Sequence, residues 1–391
     1  MSDGGTNRRT WVRRRVLFPL ILMVALVAMT TLLFEVVIRV AAPFSPFVRL
    51  LTRTQEAQRP AESLAEFLDR HGLGYQPGRA SGGRFRNSLG LPSAEPREGS
   101  QARVVVLGDS FVVNDYPVGW MWPYLLGQRL ASADEETLSQ SVEVLTFALP
   151  GIGPHDYEAL WDLAGREVEP DRVFVSFFVG NDFQNFRELR ASTPPALRSA
   201  LFFRNFWRFL RNRALRGDGL TQRLPAPPPS GEDRFGREVP GYEEAFDNQR
   251  ASLAEDYYRA LKGEVANVFS VDNHDLLQTE IVRVAEIMAR ICSKAEAMDA
   301  SCTVVIFPDE LQVETELRSA LLAALGREDE TFDFGRPSAA LASRLTEMGV
   351  DVIDLLPCLG GAEHALYRSR DTHLNRRGNL RAAECIAERF E

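Results

Sequence analysis

Arg103-Val-Val-Val-Leu-Gly-Asp-Ser-Phe111 is the stretch that decides the fold. Val104 to Leu107 form a short apolar run, mostly β-branched, whose length and flanks fit a strand buried on both faces. Gly108 ends the run, and glycine takes a backbone through a sharp turn without a Cβ penalty. The polar pair Asp109-Ser110 follows, and a helical pattern starts near Val118. Strand, tight turn, serine, helix is the order in which an α/β protein presents a nucleophile at the carboxyl end of a strand. A lone Gly-Asp-Ser is more commonly a turn or a helix-capping serine, so the rest of the chain must decide.

Four more runs of the same kind follow. Ser141 to Phe147, Arg172 to Val179, Cys302 to Phe307 and Val350 to Leu355 read as strands. Between them lie helical patterns at Val118–Leu130, His155–Val168, Thr279–Met298, Ala320–Leu325 and Ser338–Met348, with a last helix at Asn375–Phe390. Alternation of this kind predicts an α/β fold: three layers, with a parallel sheet of about five strands covered on both faces and joined by right-handed crossovers. Open sheets of this type hold their sites beyond the carboxyl ends of the strands.

Composition bounds the rest. The chain has 391 residues, 45% hydrophobic and 25% charged, with a net charge of −9. Five arginines and one aspartate fall in the first fifteen residues, so the remainder is more acidic still. A nucleic-acid binder would show a net basic face, which excludes that class. Residues 16–34 are uncharged and almost wholly apolar, nearly long enough to span a hydrocarbon core, and Val36 to Ile38 can extend them. Arg8, Arg9, Arg13, Arg14 and Arg15 stand just before, which puts the N-terminus in the cytoplasm and the remainder outside. The run exceeds a usual signal-peptide core and no small-x-small cleavage site follows closely, so an uncleaved anchor is favoured over a cleaved leader. The expected layout is a cytoplasmic tail at 1–15, a transmembrane helix at 16–40, a stalk and lead-in at 41–101 with one weak helix near Ala61–Arg70, and a domain at 102–391.

Residues 183–270 read as an insertion into that domain. Its Pro195–Arg216 part interleaves six arginines with aromatic residues and leaves three roles open: packing on the domain, a lid, or contact with an anionic membrane surface. Cys292, Cys302, Cys358 and Cys385 all lie in the exported part. They fit two disulfides or buried free thiols, and none has zinc-site spacing.

Polar or glycine positions recur at the carboxyl ends: Ser110 after the first strand, Gly151 after the second, Asn181 after the third, and Asp371-Thr-His373 in the loop beyond the fifth. The sheet would gather them on one rim. The pattern resembles the SGNH hydrolases, or GDSL family of esterases and lipases, through Gly108-Asp-Ser-Phe111, the Pro150-Gly-Ile-Gly loop, Gly180-Asn-Asp182 and Asp371-Thr-His-Leu-Asn375, in the family's order. The resemblance implies a flavodoxin-like SGNH fold and a serine esterase without cofactor or metal. Ser110 would be the nucleophile, His373 the base and Asp371 its orienting acid. The backbone N–H groups of Ser110 and Gly151 and the Asn181 amide would form the oxyanion hole. Physics agrees. A serine hydroxyl needs an imidazole to take its proton, the imidazole needs a carboxylate to fix its tautomer, and the developing oxyanion needs donors placed in advance.

Three departures stand out. Phe111 replaces the family's usual leucine and should point to the core. Ala148-Leu149-Pro150 replaces the usual Asn ahead of the glycine. Asp371 stands two residues before His373 instead of three, so the pair must sit in a turn, since residues two apart do not face each other on a helix. The shorter spacing resembles exported, membrane-anchored members and alginate-type O-acetyltransferases. The expected function is a membrane-anchored serine esterase cleaving ester bonds, O-acetyl groups of envelope carbohydrate above all. Its partners would be an acyl-ester or polysaccharide substrate and the bacterial inner membrane, with the domain in the periplasm or outside the cell. Two rivals remain: an O-acyltransferase fed by a membrane acyl-donor partner, and a non-catalytic envelope carbohydrate-binding or assembly protein. Asp109, Asp182 and His155 are expected to serve local turns and helix starts, His274 and His364 to lie on the surface, and Asp309-Glu310 to form a solvated loop.

Overall fold

A computed structural model describes residues 63–71, 86–97, 102–114, 118–132, 142–183, 253, 255–327, 331–362 and 364–390, with isolated positions between 19 and 33. Its helices and strands, in order, are α1 (Leu64–Arg70), β1 (Ala102–Gly108), α2 (Trp122–Ser132), β2 (Val142–Ala148), α3 (Pro154–Ala164), β3 (Arg172–Phe178), α4 (Glu255–Val265), α5 (His274–Glu296), β4 (Ser301–Phe307), α6 (Glu310–Val313), α7 (Thr315–Leu325), α8 (Arg336–Glu347), β5 (Asp351–Asp354), α9 (Leu356–Leu359) and α10 (Arg376–Ala387).

The five strands form one sheet in the order β2-β1-β3-β4-β5. All four pairings are parallel, with Val104 opposite Val144, Val106 opposite Phe174, Val173 opposite Cys302 and Val304 opposite Val352. Every strand expected from the apolar runs is present. Alternate side chains of each strand enter opposite faces. Val105, Leu107, Val173, Val175 and Ile306 pack with Trp161 of α3, Ile281 and Met288 of α5 and Leu341 of α8. Val104, Val106, Phe174 and Val305 pack with Trp122 and Leu126 of α2 and with Ala382, Ala383 and Ile386 of α10. The result is the three-layer α/β arrangement expected from the alternation.

Strand order reverses direction between β1 and β3, which lie side by side but lead to opposite halves of the sheet. Open sheets of this kind bind ligands at such a switch point, beyond the carboxyl ends of its strands. Ser110 lies two residues beyond β1 and Asn181 three beyond β3. The topology therefore places both just beyond the two strands that flank the switch point.

Some segments outside the expected core enter it. Phe67 and Leu68 of α1 and Leu91 are buried, ahead of the expected domain start at 102. The described end of the 183–270 segment forms α4, which buries Tyr258, Lys262 and Val265. Both cysteine pairs are disulfides, Cys292–Cys302 and Cys358–Cys385. The first joins α5 to β4, and the second joins α9 to α10. Most of the apolar run at 16–34, the rest of the stalk, and residues 184–252 lie outside the described residues. Leu22, Met23, Leu26, Met29 and Leu33 are helical and exposed. Among the described residues, no helix is long and apolar enough to cross a membrane.

Candidate active site

The Ser110 turn is built by two constraints. Gly108 packs so closely on Val112 and Ser176 that a Cβ there would collide with both. The turn then closes on Asp109: its carbonyl accepts the Val112 N–H at 3.1 Å, and its Oδ1 accepts the Phe111 N–H at 2.9 Å. Asp109 thus holds the local turn, as expected for it. Its second oxygen does more, accepting the Asn181 side-chain amide at 2.8 Å. Burial pushes the Asp109 carboxyl up, against the opposing pull of the Phe111 N–H and the Asn181 amide.

Phe111 does point inward. Its ring stacks on Phe178 at 3.8 Å between centroids and lies 5.7 Å from the His373 imidazole. Ser110 therefore stands between a residue bonded to Asn181 and a residue packed against His373. The residues on either side of Ser110 thus touch Asn181 and His373, which lie far from it in sequence.

Asp371 and His373 sit in a turn, as their spacing requires. His373 Nδ1 lies 2.6 Å from Asp371 Oδ1, and the same oxygen accepts the His373 backbone N–H at 3.1 Å. The carboxylate thereby fixes the ring and puts the imidazole proton on Nδ1. His373 Nε2 is buried and has no hydrogen-bond partner among the described residues, which leaves its lone pair available to take a proton. The other Asp371 oxygen lies 3.5 Å from the Arg368 guanidinium.

Asn181 carries two amide hydrogens, and Asp109 takes one. Among the described residues no acceptor takes the other. Asp182, next in the chain, is fully buried. It accepts the Phe178 N–H at 2.8 Å and the Tyr157 hydroxyl at 2.9 Å, so it serves the turn as expected. Burial and the neighbouring Asp109 push its carboxyl well up. Gly151 is exposed beyond β2 with φ +77, a backbone conformation that favours glycine. No described contact ties it to the other four residues.

Asp309 and Glu310 are not a solvated loop. They are 0% and 1% exposed and form an ion cluster with Lys262. The sequence offered no signal for this, because the partner lies in a segment without motifs. Asn379 was also missed: it accepts the Trp122 N–H at 3.0 Å and donates to the Leu374 carbonyl at 3.3 Å, joining α2 to the histidine loop. A buried Asn one turn into a helix carries no distinguishing pattern. His155 begins α3, His364 is exposed, and His274 is partly buried beside Arg336. Among the described residues, no group of three or more His, Cys, Asp or Glu could hold a metal ion.

No family model matches the sequence, and no curated protein matches it. Solved structures do, among them proteins described as lipases and esterases. One is described as a G-D-S-L family lipolytic protein from Desulfitobacterium hafniense, 14% identical, with a TM-score of 0.33 over 74% of this chain and 99% of that one. Another is the lipase/acylhydrolase from Enterococcus faecalis, 14% identical, with a TM-score of 0.34 over 74% and 95%. A third is the acetyl xylan esterase AlAXEase, 13% identical, with a TM-score of 0.36 over 74% and 100%.

Proposed function

We propose that the protein is a serine hydrolase of the SGNH type that cleaves esters through an acyl-enzyme on Ser110. The observation that carries this reading is the 2.6 Å Asp371–His373 pair, with Nε2 left unpartnered beside the Ser110 turn. His373 takes the Ser110 proton as the hydroxyl attacks the ester carbonyl. The free amide hydrogen of Asn181 and the backbone N–H groups of Ser110 and Gly151 receive the charge on the carbonyl oxygen. Protonated His373 then gives its proton to the leaving alcohol. Water, activated by the same imidazole, releases the acid.

The natural ester is an O-acetyl group on an envelope carbohydrate, and residues 16–40 anchor the domain in the inner membrane facing outward. The arginine-flanked apolar run supports the anchor, and the two disulfides suit an oxidising compartment. Turnover of aryl acetates by Ser110→Ala and His373→Ala tests the chemistry: each variant should lose at least about 10³-fold in kcat. Activity unchanged in both would end the proposal. Product analysis with and without a sugar acceptor separates hydrolysis from transfer of the acyl group to a sugar hydroxyl.

A further inference from the structure

Lys262 is one of two lysines in the chain, and its side chain is completely buried. Its ammonium lies 2.7 Å from Asp309 Oδ2 and 2.8 Å from Glu310 Oε1. The Tyr258 hydroxyl donates to the same Glu310 oxygen at 2.5 Å. Burial pulls Lys262 down, but the two carboxylates push it up further, so it stays charged. Buried ions are costly even when paired, and apolar residues of similar size often serve stability as well. Stability alone is thus a weak reason for such a cluster.

The neighbours of the cluster suggest another. Asp309 packs against the turn that carries Asn181: a Cβ on Gly180 would lie 2.6 Å from Asp309 Oδ2. Pro308, the residue before Asp309, accepts the Tyr367 hydroxyl at 2.6 Å. Tyr367 pairs with Leu374 across an antiparallel bridge, and the Arg368 N–H donates to the His373 carbonyl at 3.0 Å. Asp371 and His373 lie within that hairpin. Burial pushes the Glu314 carboxyl, just past α6, up, against the opposing pull of the Tyr367 and Leu366 backbone.

We propose that Lys262 is a positioning residue: with Asp309 and Glu310 it clamps the Asn181 turn and the His373 hairpin at a fixed separation. This rests on the reading of the site given above. Lys262 touches neither substrate nor imidazole and acts only through the 308–310 turn. Lys262 lies on α4, outside the four motif blocks, so the clamp draws on this chain's own intervening segment.

The test uses the full chain and four variants. Lys262→Met removes the charge, Lys262→Arg restores it, and Tyr367→Phe deletes only the hydroxyl link to Pro308. His373→Ala identifies the low-field proton resonance of the Nδ1–H···Asp371 bond. Tyr367→Phe should fold, lose about tenfold in kcat with KM within about twofold, and exchange that proton about tenfold faster than wild type. Lys262→Met should change in the same direction, and Lys262→Arg should recover part of the loss. If Lys262→Met does not accumulate, Tyr367→Phe decides alone. A lower melting temperature in Tyr367→Phe, with kcat and proton exchange both at wild-type values, would overturn the proposal. Should Ser110→Ala retain full turnover, the functional reading fails separately, while proton exchange still judges the clamp.

Discussion

Asn181 gives one amide hydrogen to Asp109, and the proposed mechanism uses the other. Removing the amide should cost about 2.7–4 kcal/mol of transition-state stabilisation, so Asn181→Ala should lower kcat about 10²–10³-fold while aryl-acetate KM barely moves. A KM effect alone would show that Asn181 binds the ground state instead. Asp371→Asn tests the other end. An amide N–H facing Nδ1 selects the tautomer with its proton on Nε2, which cannot accept the serine proton, and kcat should fall about 10⁴-fold with the fold intact. The sequence marks both residues as candidates, Asn181 just past a strand and Asp371 in the loop before the last helix. Lys262 is not marked. Its importance depends on two carboxylates 47 residues away or more, and nothing local in its helix marks it as buried.

At the scale of elements, β-branched runs bounded by glycine and polar residues read directly as strands, and all five were legible. Helix starts were less so. Helix α4 lies in a segment whose composition resembles an insertion, and its apolar side becomes visible only when Tyr258 and Val265 are seen in the core. The cysteines left pairing open, because spacing does not say which helices meet. The Cys358–Cys385 bond closes a separation of 27 residues and ties α9 to α10, the helix that follows the histidine loop. Replacing both residues by serine should lower unfolding free energy by about 2–4 kcal/mol in denaturant titration. The histidine loop is also fastened by the Asn375 cap, whose Oδ1 accepts the Gly378 N–H at 2.9 Å. Ester turnover below the unfolding transition should therefore persist in the double variant; its loss would make the disulfide part of the site's support.

Over the whole molecule, burial dominates the titration of carboxyls in and around the site. It pushes Asp109 up, Asp182 well up, Glu310 up to about 7, and Glu314 and Asp354 up. Each of these groups holds its proton more tightly folded than unfolded. Their contribution is therefore fully present below the ordinary carboxylate value and is lost as pH rises through the folded one. For Glu310 the window runs from 4.5 to about 7. Glu158 behaves oppositely. Burial pushes it up, but Arg290 and Lys294 outweigh that and hold it below its ordinary value, so its contribution is lost as pH falls. The two trends should place the maximum melting temperature near about pH 5, with a decline toward pH 8. Glu310→Gln keeps the shape of the side chain and removes its titration, so the decline between pH 5 and 7 should flatten in that variant. A melting temperature that climbs steadily from pH 5 to pH 8 would mean that these carboxyls meet water in the folded protein, and that the packing around the rim is looser than the distances above.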